Sequence, residues 1–356
     1  MAVKLTGQIP GGNPRDAGAI SQRDGVFHIA PFSEDGDANY KFHLLVQAAN
    51  PSSRAEEIAV EIDWADSRFS MLRNHVFVGH GGLWETVRGE IRGSIIAAKL
   101  TIEPGESLIA LHPAYGLADH ERLVNWAALE GARKEKFGRT AAGHELDLLW
   151  FGEAGATKPA LLVLGRGHPY ETSGSYACAE IVRFLSVGSP RSRRVLERFQ
   201  VGVIAMANPD GVEAGYCKAA ALNGLNPLED AVGKGDKTCN SLQALFDRVK
   251  PAGLLDVHAW MHREDAVFIY DRGEGDRFLK TFDRKAAGVP EDWEWQVMDR
   301  TLGPHNSSID LRHYALEELG ASLVVLAIQW FGKKTPIATV RSIGAESLAA
   351  FAEAIA

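Results

Sequence analysis

The sequence predicts an α/β protein: a mostly parallel or mixed central sheet with helices on both faces, preceded by a small antiparallel β-sandwich domain. Three observations lead there. From about residue 119 onward, short continuous apolar runs alternate with segments of helical spacing, as strands buried on both faces and their covering helices do. Up to about residue 118, short runs alternate apolar and polar residues between turn signals, as half-solvated antiparallel strands do. The composition, 46% hydrophobic and 24% charged over 356 residues, is that of an ordered globular chain. At about 150 residues per domain it gives two domains, placed at residues 1–118 and 119–356.

In the first domain the expected strands are Val26–Ala30, Tyr40–Ala49, Ile58–Trp64, His75–Val78, Ile91–Leu100 and Ser107–Leu111. Ser33–Asp37, Asn50–Ser53, Gly81–Gly82 and Glu103–Gly105 supply the turn chemistry between them. In the second domain a helix is expected over Asp119–Lys134, a buried strand over Pro159–Leu164 and a helix over Thr172–Leu185. Further buried strands follow at Val201–Ala207, Leu254–Val257, Val267–Tyr270 and Ser322–Ile328. Leu242–Val249, Ser308–Leu319 and Ala345–Ile355 read as helices.

The net charge of −8 argues against a polyanion, so no nucleic acid partner is expected. No window approaches the roughly 18 apolar residues of a membrane span, and the first residues do not read as a signal peptide. Three cysteines, Cys178, Cys217 and Cys239, make neither a disulfide framework nor a Cys-x-x-Cys pair, which fits a reducing, cytoplasmic setting.

Open α/β sheets place their sites at the carboxyl ends of strands, and three such ends carry unusual residues. These are Gly165-Arg166-Gly167-His168-Pro169-Tyr170-Glu171, Asn208-Pro209-Asp210-Gly211 and Asp256-Val257-His258. His168 and Glu171, three apart on a tight turn, can face one point, and His258 arrives there from another strand. Two imidazoles and a carboxylate leave a coordination position open, the arrangement of catalytic rather than structural zinc. Asp256 shares a strand face with His258 and is placed to support it. Against this, His-x-x-Glu alone is a weak motif; the shared strand-end position of all three elements is what favours a metal.

The three blocks resemble the zinc carboxypeptidase family, and especially its cytosolic-carboxypeptidase branch. The first resembles the family's R-x-H-P-G-E segment. Asn208–Val212 with Gly215-Tyr216 resembles N-P-D-G-V…G-N-Y, and Asp256–His258 with Val267–Tyr270 resembles D-x-H-G-H…F-x-Y-G. The resemblance implies zinc held by His168, Glu171 and His258. It also implies hydrolysis of an amide or peptide bond with a metal-activated water, on a peptide or small amide substrate. Arg166, Lys218 and Asn226 are assigned to substrate binding.

The chain departs from the family at two places. Cys217 and Pro227 stand where the family has arginines that polarise the scissile carbonyl and grip the substrate carboxylate. Asn226 is kept, and Lys218 offers a point charge in place of a bidentate fork. The family's general-base Glu corresponds to about Ala327, with Gln329 the nearest polar residue. Glu264, close to His258, is the preferred replacement carboxylate; His262, Asp265, Asp310 and His313 are further candidates. The alternative reading is a catalytically weak or inactive relative that binds a ligand or protein partner at the inherited cleft, with Trp260, Trp293, Trp295, Trp330 and Phe331 as candidate lining.

Overall fold

A computed structural model of the chain describes residues 2–33, 41, 43–64, 74–153, 157–220, 224–230, 232–233, 236–259, 266–269, 275–289, 296–299, 310–328 and 337–355. The chain forms two compact units: residues 1–116 with 211–224, and residues 117–210 with 225–356.

The described residues of the first unit include ten strands. In chain order they are β1 (Lys4–Thr6), β2 (Ile20–Arg23), β3 (Val26–Ile29), β4 (Leu45–Asn50), β5 (Glu56–Asp63), β6 (His75–His80), β7 (Leu83–Arg88), β8 (Glu90–Arg92), β9 (Ile95–Ile102) and β10 (Gly105–Ala110). They make two five-stranded sheets, β1-β4-β10-β6-β7 and β2-β3-β5-β9-β8. Pairing is antiparallel except between β3 and β5. Ile58, Val60 and Ile62 of β5, with Ile96, Ala98, Leu100 and Ile102 of β9, bury every second side chain, which is why these strands are legible from alternation.

The expected strand over Ile91–Leu100 is two strands, because Gly93 takes φ +63° and turns the chain between β8 and β9. Strand β7, Leu-Trp-Glu-Thr-Val-Arg, lies at a sheet edge with none of its residues buried. It therefore has no apolar alternation to betray it in the sequence.

Among the described residues, the second unit is built on an eight-stranded mixed sheet. Its strands are β11 (Arg133–Arg139), β12 (Glu145–Phe151), β13 (Ala160–Gly165), β14 (Gln200–Ile204), β15 (Gly253–His258), β16 (Ala266–Ile269), β17 (Gln296–Asp299) and β18 (Ser322–Ala327), in the order β11-β12-β14-β13-β15-β18-β16-β17. The central four, β14, β13, β15 and β18, are parallel. Strands β11 and β12 add antiparallel pairs at one edge, and β16 runs antiparallel to β18.

Helices cover both faces. Leu242, Leu245 and Phe246 of the helix Lys237–Val249 join a core with Leu162, Leu164, Leu254, Leu323 and Val325. On the other face, Phe351 of the helix Ile337–Ala354 packs over Gly253, and that helix crosses Thr172–Val187 closely at Gly344. A Cβ on Gly344 would stand 2.5 Å from the carbonyl oxygen of Ala177, so only glycine permits this crossing.

Two expected helices are corrected. The one over Asp119–Lys134 spans Leu117–Leu129 and stops before Gly131, at φ +92°; Arg133 already begins β11. The one over Ser308–Leu319 begins at Leu311, where Asp310 caps the N–H of His313, and continues as a π turn over Tyr314–Glu318.

Candidate metal centre

The loop after β13 places the first two site residues. Arg166 turns the chain through left-handed backbone (φ +57°), and the Glu171 N–H donates to the His168 carbonyl at 3.1 Å, closing a tight turn. Glu171 then sits at the N-terminus of the helix Thr172–Val187, where a negative carboxylate is favoured. Tyr170 Oη donates to the Ala259 carbonyl at 2.8 Å, and Ser173 Oγ donates to the Ile328 carbonyl. These bonds tie the loop to the chain just beyond β15 and β18. Gly174 allows the helix to approach β15: a Cβ there would be 2.9 Å from the Val257 carbonyl oxygen.

Three strand-end side chains converge as a result. Nδ1 of His168 lies 2.9 Å from Oε1 of Glu171, and Nδ1 of His258 lies 2.9 Å from Oε2 of the same carboxylate. One ligand atom from each of the three residues falls within 4.8 Å of the others. His168 is 6% exposed, and Glu171 and His258 are 1% exposed. Nε2 of His258 contacts Oδ2 of the fully buried Asp256 at 2.7 Å, as their two-residue spacing on β15 allows.

Both ring nitrogens of His258 face carboxylates, so both donate and the ring is an imidazolium. Burial works against that charge, but Asp256 and Glu171 outweigh it and push the pKa up to about 10. Burial likewise opposes the charge on Glu171, and His168 and His258 outweigh it, holding the carboxyl well below its ordinary range. Oδ1 of Asp256, also buried, has no hydrogen-bond partner among the described residues. Two buried carboxylates thus surround an imidazolium that takes the place a cation would fill. The donor set, two imidazole nitrogens and a carboxylate with Asp256 behind one of them, fits zinc with a coordination position left open.

Residues 129–225 match the zinc carboxypeptidase family. Over the whole fold, a metallo-carboxypeptidase from Burkholderia cenocepacia superposes with a TM-score of 0.82, covering 98% of each chain at 17% identity. The fold is that of the zinc carboxypeptidases. A metallo-carboxypeptidase from Pseudomonas aeruginosa, solved in complex with (2-guanidinoethylmercapto)succinic acid, aligns with a TM-score of 0.78 over 98% of each chain at 16% identity. Among curated proteins, mouse cytosolic carboxypeptidase 6 is 33% identical over 94 residues, which is 25% of this chain and 17% of that protein. Cytosolic carboxypeptidase 2 of Xenopus tropicalis is 35% identical over 83 residues, 22% of this chain and 9% of that protein. The aligned segments thus span less than a fifth of either curated relative. His168 and Glu171 lie inside the segment that matches the family, whereas His258 lies beyond it and joins them through the fold.

The other expected site residues fall in different places. Arg166, expected to bind substrate, is 2% exposed; its Nε donates to the Pro169 carbonyl at 2.6 Å and its Nη1 to Ser175 Oγ at 2.9 Å. Its guanidinium staples the ligand-bearing turn to the following helix. Replacing it in Arg166→Ala would leave buried acceptors unpaired, and a stability loss of about 2–3 kcal/mol with weakened metal uptake is expected, read by urea denaturation and zinc titration.

Asn226 sits beside His168, with its Nδ2 3.0 Å from Nε2 of the ring. Lys218 is half-buried and belongs to the first unit. Asp310 and His313, considered as bases, pair with each other at 2.6 Å at the start of their helix, and Asp310 also binds Arg312 at 3.0 Å, so they serve as a cap. Ala327 is buried and pairs in register with His258, contributing only a methyl group. Glu264, Gln329, His262, Asp265, Trp260, Trp293, Trp295, Trp330 and Phe331 lie outside the described residues. One neighbour was missed by sequence reasoning: Glu229, whose Oε1 is 3.9 Å from Nε2 of His168. The local signal for it was an acidic pair, Glu229-Asp230, three residues after Asn226.

Proposed function

We propose that the chain is a zinc-dependent hydrolase that cleaves an amide or peptide bond in a peptide or small amide. The observation that carries this reading is the convergence of His168 and His258, each through Nδ1, on the carboxylate of Glu171. A bound zinc ion supplies a Lewis acid that polarises the scissile carbonyl and lowers the pKa of water. Asp256 holds the His258 ring in orientation, and the Arg166 staple keeps the His168–Glu171 turn in place.

The position assigned to the family's general base carries Ala327, so proton transfer depends on a group elsewhere, Glu264 being the preferred one. Absence of a positioned base costs about 10²–10⁴-fold in rate, so turnover is expected to be slow by the standards of metallopeptidases. With Pro227 and Cys217 in place of the clamping arginines, small amides belong in the substrate panel beside C-terminal peptides. The curated relatives named cytosolic, together with three buried free cysteines, support a cytoplasmic setting. Among the described residues no helix is long and apolar enough to cross a membrane.

The test is hydrolysis of peptides and N-acyl amino acids by the zinc-supplied protein. Turnover is expected, removed by a chelator and by His258→Ala. Turnover that survives removal of both His168 and His258 would refute a metal hydrolase. Ala327 also favours a second reading, a carboxypeptidase-like protein that binds its ligand without cleaving it. Zinc uptake with no hydrolysis across the panel would select that reading.

A further inference from the structure

The two imidazoles of the site are supported differently. His258 has a carboxylate, Asp256, at its outer nitrogen, whereas Nε2 of His168 meets the amide of Asn226 at 3.0 Å. The side-chain oxygen of Asn226 accepts the backbone N–H of Leu228 at 3.1 Å and that of Glu229 at 3.3 Å. The atom facing the ring is therefore the NH₂ group, a donor, and Nε2 of His168 must accept and carry no proton. The ring hydrogen sits on Nδ1 and is donated to Glu171.

That is the wrong tautomer for coordination. A metal on the Glu171 side needs the Nδ1 lone pair, so the hydrogen must move to Nε2, where it meets the Asn226 donor. A ligating imidazole ordinarily gives its outer N–H to a carboxylate, a carbonyl or water. Oε1 of Glu229 lies 3.9 Å from the same Nε2, on the turn that follows Asn226. Its side chain is 47% exposed.

We propose that Glu229 is the positioning residue that accepts the Nε2–H of His168 when a metal is bound, and that Asn226 gives up its contact with the ring on loading. The inference rests on the metal reading above. It leaves each imidazole backed by one carboxylate, Asp256 behind His258 and Glu229 behind His168. It also turns the Asn226 amide from a partner of the apo ring into a donor available to substrate, the role that the family resemblance gives it.

The test is zinc affinity, measured by chelator competition at fixed pH on wild type, Glu229→Ala, Glu229→Gln and, as a control, Asp256→Asn. Removal of an outer partner typically weakens metal binding about 10–100-fold, and that loss is expected in all three variants, each first shown to be folded by circular dichroism. Nitrogen NMR of histidine-labelled protein supplies a second readout. His168 is expected to carry its proton on Nδ1 without metal and on Nε2 with zinc, and the downfield shift of that Nε2–H is expected to be lost in Glu229→Ala.

Wild-type affinity in both Glu229 variants beside a weakened Asp256→Asn would overturn the role of Glu229 and leave the metal site standing. A loaded His168 that keeps its proton on Nδ1 would overturn it as well. A wild-type chain that takes up no zinc would overturn this inference together with the metal reading.

Discussion

One zinc ion per chain is expected in protein purified with zinc present, and none in the His168→Ala/His258→Ala variant. The two rings contribute two of three candidate ligands, and both are buried against the one carboxylate. Structural zinc sites bind with about 10–16 kcal/mol over four ligands, or roughly 2.5–4 kcal/mol for each. Loss of two ligands therefore weakens binding about 10⁴–10⁶-fold. Metal analysis after dialysis, with chelator competition for the affinity, reads this directly. The variant also leaves Glu171 and Asp256 as buried carboxylates without their imidazoles, so a circular dichroism melt must accompany the titration. Equal zinc content in wild type and a folded double variant would place the metal elsewhere.

The second large effect is a steep dependence of metal uptake on pH. His258 holds a proton on each nitrogen, with a pKa of about 10, and must release the one on Nδ1 to become a ligand. Zinc binding should therefore release one proton from this ring. Apparent affinity should then rise about tenfold per pH unit, or about 10³-fold from pH 6 to pH 9. A titration in buffers of different ionisation enthalpy measures the released proton, and affinity that is flat across this window would contradict the imidazolium assignment.

The metal-free chain responds to pH with the opposite trend on the alkaline side. The folded pKa of His258 lies above its ordinary 6.5, so the stabilisation from its charge is complete below about pH 6.5 and fades as pH rises through 10. Glu171 is held below its ordinary 4.5, so its stabilisation is present above about pH 4.5 and is lost as acid protonates it. Melting temperature without zinc is expected to fall on both flanks. With zinc bound, the alkaline fall should be reduced, because the His258 proton is no longer the ion that neutralises the two carboxylates.

Particular elements explain how much of this was legible in the chain. Strands β13, β15 and β18 are buried along nearly their whole length, so they read as continuous apolar runs, and the sites at their ends could be located. Strands β11 and β12 were missed or read as the tail of a helix. Arg133–Arg139 alternates Lys and Glu with few apolar residues, and its identity as a strand comes from pairing with β12. Arg166 was assigned to substrate because a guanidinium near a metal motif suggests that role, and its structural contacts were not foreseen. Its burial against Pro169 and Ser175 depends on a left-handed backbone turn that residue types alone do not announce for a non-glycine.

The sequence by itself determined the α/β class, the strand-end position of the site and the three metal-ligand candidates, because burial periodicity and the chemistry of His and Glu are written residue by residue. Tertiary structure alone decided what each side chain does there. It set which imidazole nitrogens face Glu171, made His258 an imidazolium through Asp256, turned Arg166 into a staple, and brought Asn226 and Glu229 to the outer edge of His168. Protonation state and hydrogen-bond direction follow from distances between residues remote in the chain, and only the folded chain fixes those distances.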